Sequence, residues 1–146
     1  PKTKEKFIPH VVEPTFGLDR SILVAMLEAY HEEKVGNEQR IVMKFPYWMA
    51  PIKVAILPLS KKEELSKVGK QIYEELAKHF VCDYDETQSI GKRYRRQDET
   101  GTPLCVTVDF ETLNDKAVTV RDRDTMAQER VSIEELSQFL KEKLDA

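Results

Sequence analysis

Cysteine, tryptophan and histidine are scarce in this chain: two, one and three among 146 residues. Cys82 and Cys105 lack the close spacing of a metal knuckle, and both read as reduced, buried small hydrophobes rather than as a disulfide. His10, His31 and His79 are scattered, so a shared metal site is not expected. No apolar run approaches the roughly 20 residues that span a bilayer, so no membrane association is expected. The first six residues, PKTKEK, are polar and basic and contain no apolar signal segment. A cytoplasmic location is the expectation. Excess charge of one sign is also missing. The net charge of −3 argues against a non-specific nucleic-acid binder, and no DNA partner is expected, although a localised basic face is still allowed. There is no internal repeat and no low-complexity tract.

What is present is an ordinary globular composition, 34% charged and 40% hydrophobic. The length favours one domain plus a piece of another. Residues 7–13 (FIPHVVE) are apolar and β-branched and predict a strand, regular after Pro9; Pro14 and Gly17 then turn the chain. Leu18, Ile22, Ala25, Met26 and Ala29 recur at helical spacing and predict a helix to about Lys34, with Gly36-Asn37 as its stop. Residues 40–45 (RIVMKF) suggest a further strand. Residues 46–51 (PYWMAP) read as a linker that Trp48 pins to a neighbouring surface. IKVAILPL at 52–59 is apolar without alternation, as an interior parallel strand covered on both faces would be.

Ser60 and Glu63 form a capping-box pattern ahead of a helix whose apolar stripe is Leu65, Val68, Ile72, Leu76 and Phe80. A short strand at 81–84 follows, then a basic helix from about Gly91 closed by Gly101-Thr102-Pro103. Strands are predicted at 104–110, at 116–121 after an Asn-Asp turn, and at 129–131. Ser132 with Glu135 caps a last helix whose stripe is Ile133, Leu136, Phe139, Leu140 and Leu144. The order after Pro51 is β-α-β-α-β-β-β-α. That is an α/β class, a mixed sheet flanked by helices, preceded by a strand-turn-helix unit.

Two places carry chemistry. Arg20 sits where a strand hands over to a helix, beside Gly17, which lets backbone pass close to a ligand. A guanidinium there can stack on a base and contact phosphate, Glu13 can accept from an ammonium group, and Thr15 adds a hydroxyl. Spacing alone equally allows a solvated Glu13, a surface ion pair at Arg20 and a plain turn at Gly17. Further on, Lys92, Arg93, Arg95 and Arg96 surround Tyr94, and Lys92, Arg95 and Arg96 share a helix side. Such cations attract a phosphate backbone, while arginine planes and aromatics stack on splayed bases. The alternative is a solvated face paired to Asp98 or Glu99. Arg121 and Arg123 alternate with Asp122 and Asp124. If extended, they present cations on one side and, on the other, carboxylates that can accept from cytosine amino groups.

Strand, then Gly17-Leu18-Asp19-Arg20, then an apolar helix is similar to motif 3 of the class II aminoacyl-tRNA synthetases. FIPHVVEPTFGLDR resembles the glycyl family specifically. APIKVAILPL, SIGKRYRRQDE with Gly101-Thr102-Pro103, and Arg121-Asp122-Arg123-Asp124-Thr125 resemble the anticodon-binding domain shared with the histidyl, prolyl and threonyl families. The resemblance implies the end of a class II catalytic domain at 1–46, a linker at 47–51 and an anticodon-binding domain at 52–146. It implies Glu13 as a glycine ligand, with Thr15 where the family has serine, and Arg20 as an ATP ligand. It implies Lys92, Arg93, Arg95, Arg96, Arg121, Arg123 and Asp124 as tRNA-contact candidates. The parent would be a homodimer that joins glycine to its tRNA with ATP and Mg²⁺. Motifs 1 and 2 have no counterpart here, so this chain is expected to bind RNA without catalysing, and to need no cofactor of its own. The rival expectation is a non-catalytic, synthetase-like accessory or regulatory RNA-binding protein.

Overall fold

The structure, a computed structural model, describes residues 6 and 8–145. Its centre is a five-stranded sheet in the order β4-β3-β5-β6-β7. β3 (Val54–Pro58) runs parallel to β4 (Cys82–Tyr84) and β5 (Leu104–Val108), while β6 (Ala117–Asp122) and β7 (Gln128–Ser132) continue antiparallel. β3 and β5 are buried along their whole length. Each strand therefore lays one set of side chains on either face. Val54, Ile56, Leu104, Val106 and Val108 pack with α2 (Glu63–Leu76) and α5 (Leu136–Asp145). Ala55, Leu57 and Cys105 meet Ile90 and Tyr94 of α3 (Ile90–Thr100) on the other face. Burial from both sides is why the strand pattern at 52–59 does not alternate.

A second sheet is a hairpin of β1 (Tyr30–Val35) and β2 (Glu38–Met43). It corrects the expected helix to Lys34, because α1 (Leu18–Ala29) ends at Ala29. The apolar stripe stops there: its next positions are Glu33 and Gly36. Gly36-Asn37 is not a helix stop but a two-residue turn with Gly36 at φ +62, the conformation hairpin connections of this length require. β2 packs on α3, so the hairpin, read from sequence as part of the 1–46 unit, lies against the 52–146 unit.

The strand expected at 7–13 does not form among residues 8–13, and Phe7, its predicted start, lies outside the described residues. A strand needs a ladder partner, and among the described residues nothing pairs with this one. Pro1 to Glu5 and Ala146 also lie outside the described residues. Ser60 does not cap α2. The residue before the helix is Lys62, whose amide donates to Ser60 Oγ at 3.2 Å in the preceding turn. The Asn-Asp turn is a single helical turn, α4 (Thr112–Asp115), closed by Lys116 at φ 52. At 132–135 the Glu135 amide donates to Ser132 Oγ at 3.3 Å, the first half of the expected capping box. Trp48 does not pin the linker, since it is 73% exposed beside a groove of about 680 Å³. Tyr47 does so instead, donating to Asp122 Oδ2 at 2.6 Å, while Lys53 Nζ donates to the Tyr47 and Trp48 carbonyls at 2.8 and 2.7 Å.

Candidate nucleic-acid interface

α3 divides its charges between two faces. Lys92 and Arg95 are exposed and Arg96 is half-buried, whereas Arg93, Gln97 and Asp98 are buried. The outward three are the residues expected to share a side. Arg95 pairs with Glu38 of the hairpin. Arg96 pairs with Asp85 at 2.7 Å and donates to the Thr87 carbonyl at 2.9 Å. Lys92 has no carboxylate partner among the described residues.

The other cations singled out from sequence are built into the protein. Arg93 Nη1 donates to the Pro58 and Asp85 carbonyls at 2.5 and 3.1 Å, and its Nη2 donates to Leu59 O at 3.3 Å. Burial pushes its pKa below the ordinary arginine value. Arg121 donates to both oxygens of Asp98 at 3.0 and 3.2 Å and lies 4.8 Å from the Tyr94 ring. Arg123 is 1% exposed; it donates to Gly101 O and Phe45 O, both at 2.8 Å, and pairs with Asp124. Residues 121–124 are not one extended alternating run, because β6 ends at Asp122 and Arg123 enters a turn. Asp122 Oδ1 accepts from the Asp124 and Thr125 amides at 3.0 and 2.8 Å and so shapes that turn. Burial alone would raise the Asp122 carboxyl, yet these bonds and the Tyr47 hydroxyl outweigh it and hold the pKa low. Asp124 is exposed at the tip.

Sequence reading missed a second part of the surface. The chain passes from β4 back across β3 to β5, so the order reverses between β3 and β5, and ligands of open α/β sheets gather beyond the carboxyl ends of strands at such a point. Arg93 ties down the chain at those ends of β3 and β4. Lys62 Nζ lies 4.8 Å from the ring of Phe110, which is 43% exposed just beyond β5. The signal was available in the order β-α-β-α-β with Lys61-Lys62 after the first strand.

Glu13, Thr15 and Arg20 are exposed, the first two in a stretch without regular structure and Arg20 in the first turn of α1. The structure brings none of them to the α3 surface. Among the described residues no group of three or more His, Cys, Asp or Glu is placed to hold a metal ion.

A model of the anticodon binding domain matches residues 53–143. The chain belongs to the anticodon binding domain family. This anticodon binding domain shares its fold with two proteins of Cryptosporidium parvum. One is the RNA binding domain of threonyl-tRNA synthetase, with TM-score 0.61 and 25% identity, covering 68% of this chain and 25% of that one. The other is prolyl-tRNA synthetase, with TM-score 0.65 and 24% identity, covering 72% of this chain and 22% of that one. Among curated proteins the chain is 56% identical to the glycine–tRNA ligase of Clostridium acetobutylicum over 145 residues, and 54% identical to that of Bacillus cereus over 144. These matches cover 99% of this chain and 31% of each relative, so it spans about a third of their length.

Proposed function

We propose that this chain is the tRNA-reading part of a glycine–tRNA ligase and that it holds the anticodon arm of the glycine tRNA. The observation that carries the proposal is the identity to glycine–tRNA ligases along the whole chain, including the stretch before the anticodon binding domain. An accessory protein that only reused the RNA-binding fold would have no reason to resemble ligases over residues 1–52. The parent would use glycine and ATP with Mg²⁺, act as a homodimer in the cytoplasm, and draw on Glu13 and Thr15 for glycine and Arg20 for ATP. No helix among the described residues is long and apolar enough to cross a membrane.

On this chain the RNA surface is the outer side of α3, with Lys92, Arg95 and Arg96, extended by Lys62 and Phe110 beyond the carboxyl ends of β3 and β5. Cations there neutralise phosphates, and the exposed aromatic ring offers a stacking face. Arg93, Arg121 and Arg123 act from inside by fixing the loops and turn around that surface. Filter binding with the glycine tRNA and with a copy changed only in its anticodon tests the proposal. Tighter binding of the unchanged tRNA is expected, and equal binding of both would refute it.

A further inference from the structure

Asp98 is 2% exposed on the inner side of α3 and accepts three hydrogen bonds from two arginines of other elements. Arg121 reaches it from β6. Arg40 reaches it from β2, donating through Nε to Asp98 Oδ2 at 2.8 Å. Arg40 is itself 6% exposed and has two further partners: its Nη1 donates to Glu33 of β1 at 2.8 Å and its Nη2 to Arg123 O at 2.6 Å. The pairing with Asp98, first, and then with Glu33 raises the Arg40 pKa despite its burial. The hairpin is thus held to α3 by a buried guanidinium.

The hairpin also continues α1 without a linker, because Ala29 ends the helix and Tyr30 begins β1. Ala29 O accepts from the Lys44 amide at 2.6 Å, and His31 Nδ1 lies 3.0 Å from the same oxygen. At the same end of the hairpin, a methyl group on Gly101, the residue closing α3, would sit 2.7 Å from the Phe45 ring and 2.8 Å from Met43 O. α1, hairpin and α3 are therefore joined in series, with the Arg40–Asp98 pair as the buried polar joint beside the exposed Arg95–Glu38 pair.

We propose that Asp98 is a positioning residue: through Arg40 it holds the β1–β2 hairpin and α3 as one body, so that the outward cations of α3 keep a fixed orientation to α1, which carries Arg20. The importance of that orientation for tRNA rests on the RNA-binding reading above, but the joint itself can be tested without RNA. Spin labels at Glu28→Cys on α1 and Glu99→Cys on α3, both exposed positions, report the distance between the elements by pulsed dipolar spectroscopy on the 146-residue chain. The parent chain taken through the same labelling controls for Cys82 and Cys105. A single narrow distance is expected with Arg40 present. Arg40→Gln removes the buried joint while Asp98 keeps Arg121 and the hairpin keeps its exposed Arg95–Glu38 pair, and the single distance is expected to broaden. Arg40→Lys, which retains the charge and is the gentler change, is expected to broaden it less. A distribution as narrow in both variants as in the parent would overturn the proposal, because a merely stabilising pair would lower the melting midpoint without moving the distance. Filter binding of tRNA to the same labelled chains separates this outcome from a failure of the RNA reading.

Discussion

Lys92 and Arg93 are neighbours in sequence and opposite in physical situation. Lys92 meets water, and removing its side chain touches nothing. Lys92→Ala is expected to leave stability within about 0.5 kcal/mol while weakening tRNA binding. Arg93→Ala strips three carbonyls of their donor, and each buried group left unpaired costs about 1–3 kcal/mol, so a stability loss of about 3 kcal/mol is expected in urea unfolding. Glu38 makes a third case. It occupies Arg95 on the side proposed to face RNA and would compete there with phosphate. Glu38→Gln is expected to tighten tRNA binding by about two- to fivefold, read by filter binding at constant salt. The sequence located the cations of α3 and their shared side. It could not tell Arg93 from its neighbours, because two of the three carbonyls that receive Arg93 lie 34 and 35 positions away at the end of β3. Arg121 and Arg123 were obscured in the same way, since their partners come from α3, its closing glycine and the segment after the hairpin.

Among the elements, α3 has the most demanding termination. Gly101 stands at φ +86, and any side chain there would press on Met43 backbone and the Phe45 ring. Gly101→Ala is expected to destabilise by more than about 1 kcal/mol, with the hairpin losing its fit on α3 as well. The core elements were readable because their patterns are local. The unbroken apolar run at β3 announced burial on both faces, and the stripe of α2 announced its inner side. The second strand of the hairpin was read within residues 40–45, but the first was not, because residues 30–35 (YHEEKV) are polar and gain their strand from pairing, not from their own burial. The strand expected at 7–13 does not form over the described residues 8–13 for the complementary reason: they suit a strand, but among the described residues no ladder is offered to them. Tyr30–Val35 found a partner two residues away, across Gly36-Asn37.

At the scale of the whole molecule, stability resides in the five-stranded sheet and its helices. α1 buries only Ala29, while Ile22, Leu23, Met26 and Leu27 face solvent. A chain beginning at Tyr30 is therefore expected to unfold within about 1 kcal/mol of the full chain. Stability should fall at both extremes of pH. The Asp85, Asp109 and Asp122 carboxyls are held below the usual range; burial opposes this, but hydrogen bonds from Thr87, from Arg130 and Thr112, and from Thr125 and Tyr47 prevail. Their contribution is present above about pH 4, where unfolded carboxyls are already ionised, and is lost as pH falls through the depressed values. Burial pushes the Cys82 thiol up to about 11 and the Cys105 thiol to about 12. An unfolded thiol ionises first, near pH 8.5, so stability declines as pH rises from there through those values. Thermal melts across pH check both limbs. No glycine-dependent exchange of pyrophosphate with ATP is expected from the purified chain, since exposed Glu13 and Arg20 do not converge with other groups.

The central claim is that the outer side of α3 holds the anticodon arm. Its most direct test compares the affinity of the parent chain and of the Lys92→Ala/Arg95→Ala/Arg96→Ala variant for the glycine tRNA and for its anticodon-changed copy, across a range of salt. The variant is expected to stay folded, to lose its preference for the unchanged anticodon, and to show a slope of log affinity against log salt flatter by about 0.7–0.9 for each phosphate contact removed. A folded variant that keeps both the preference and the slope of the parent would place the RNA elsewhere on the molecule and contradict the account.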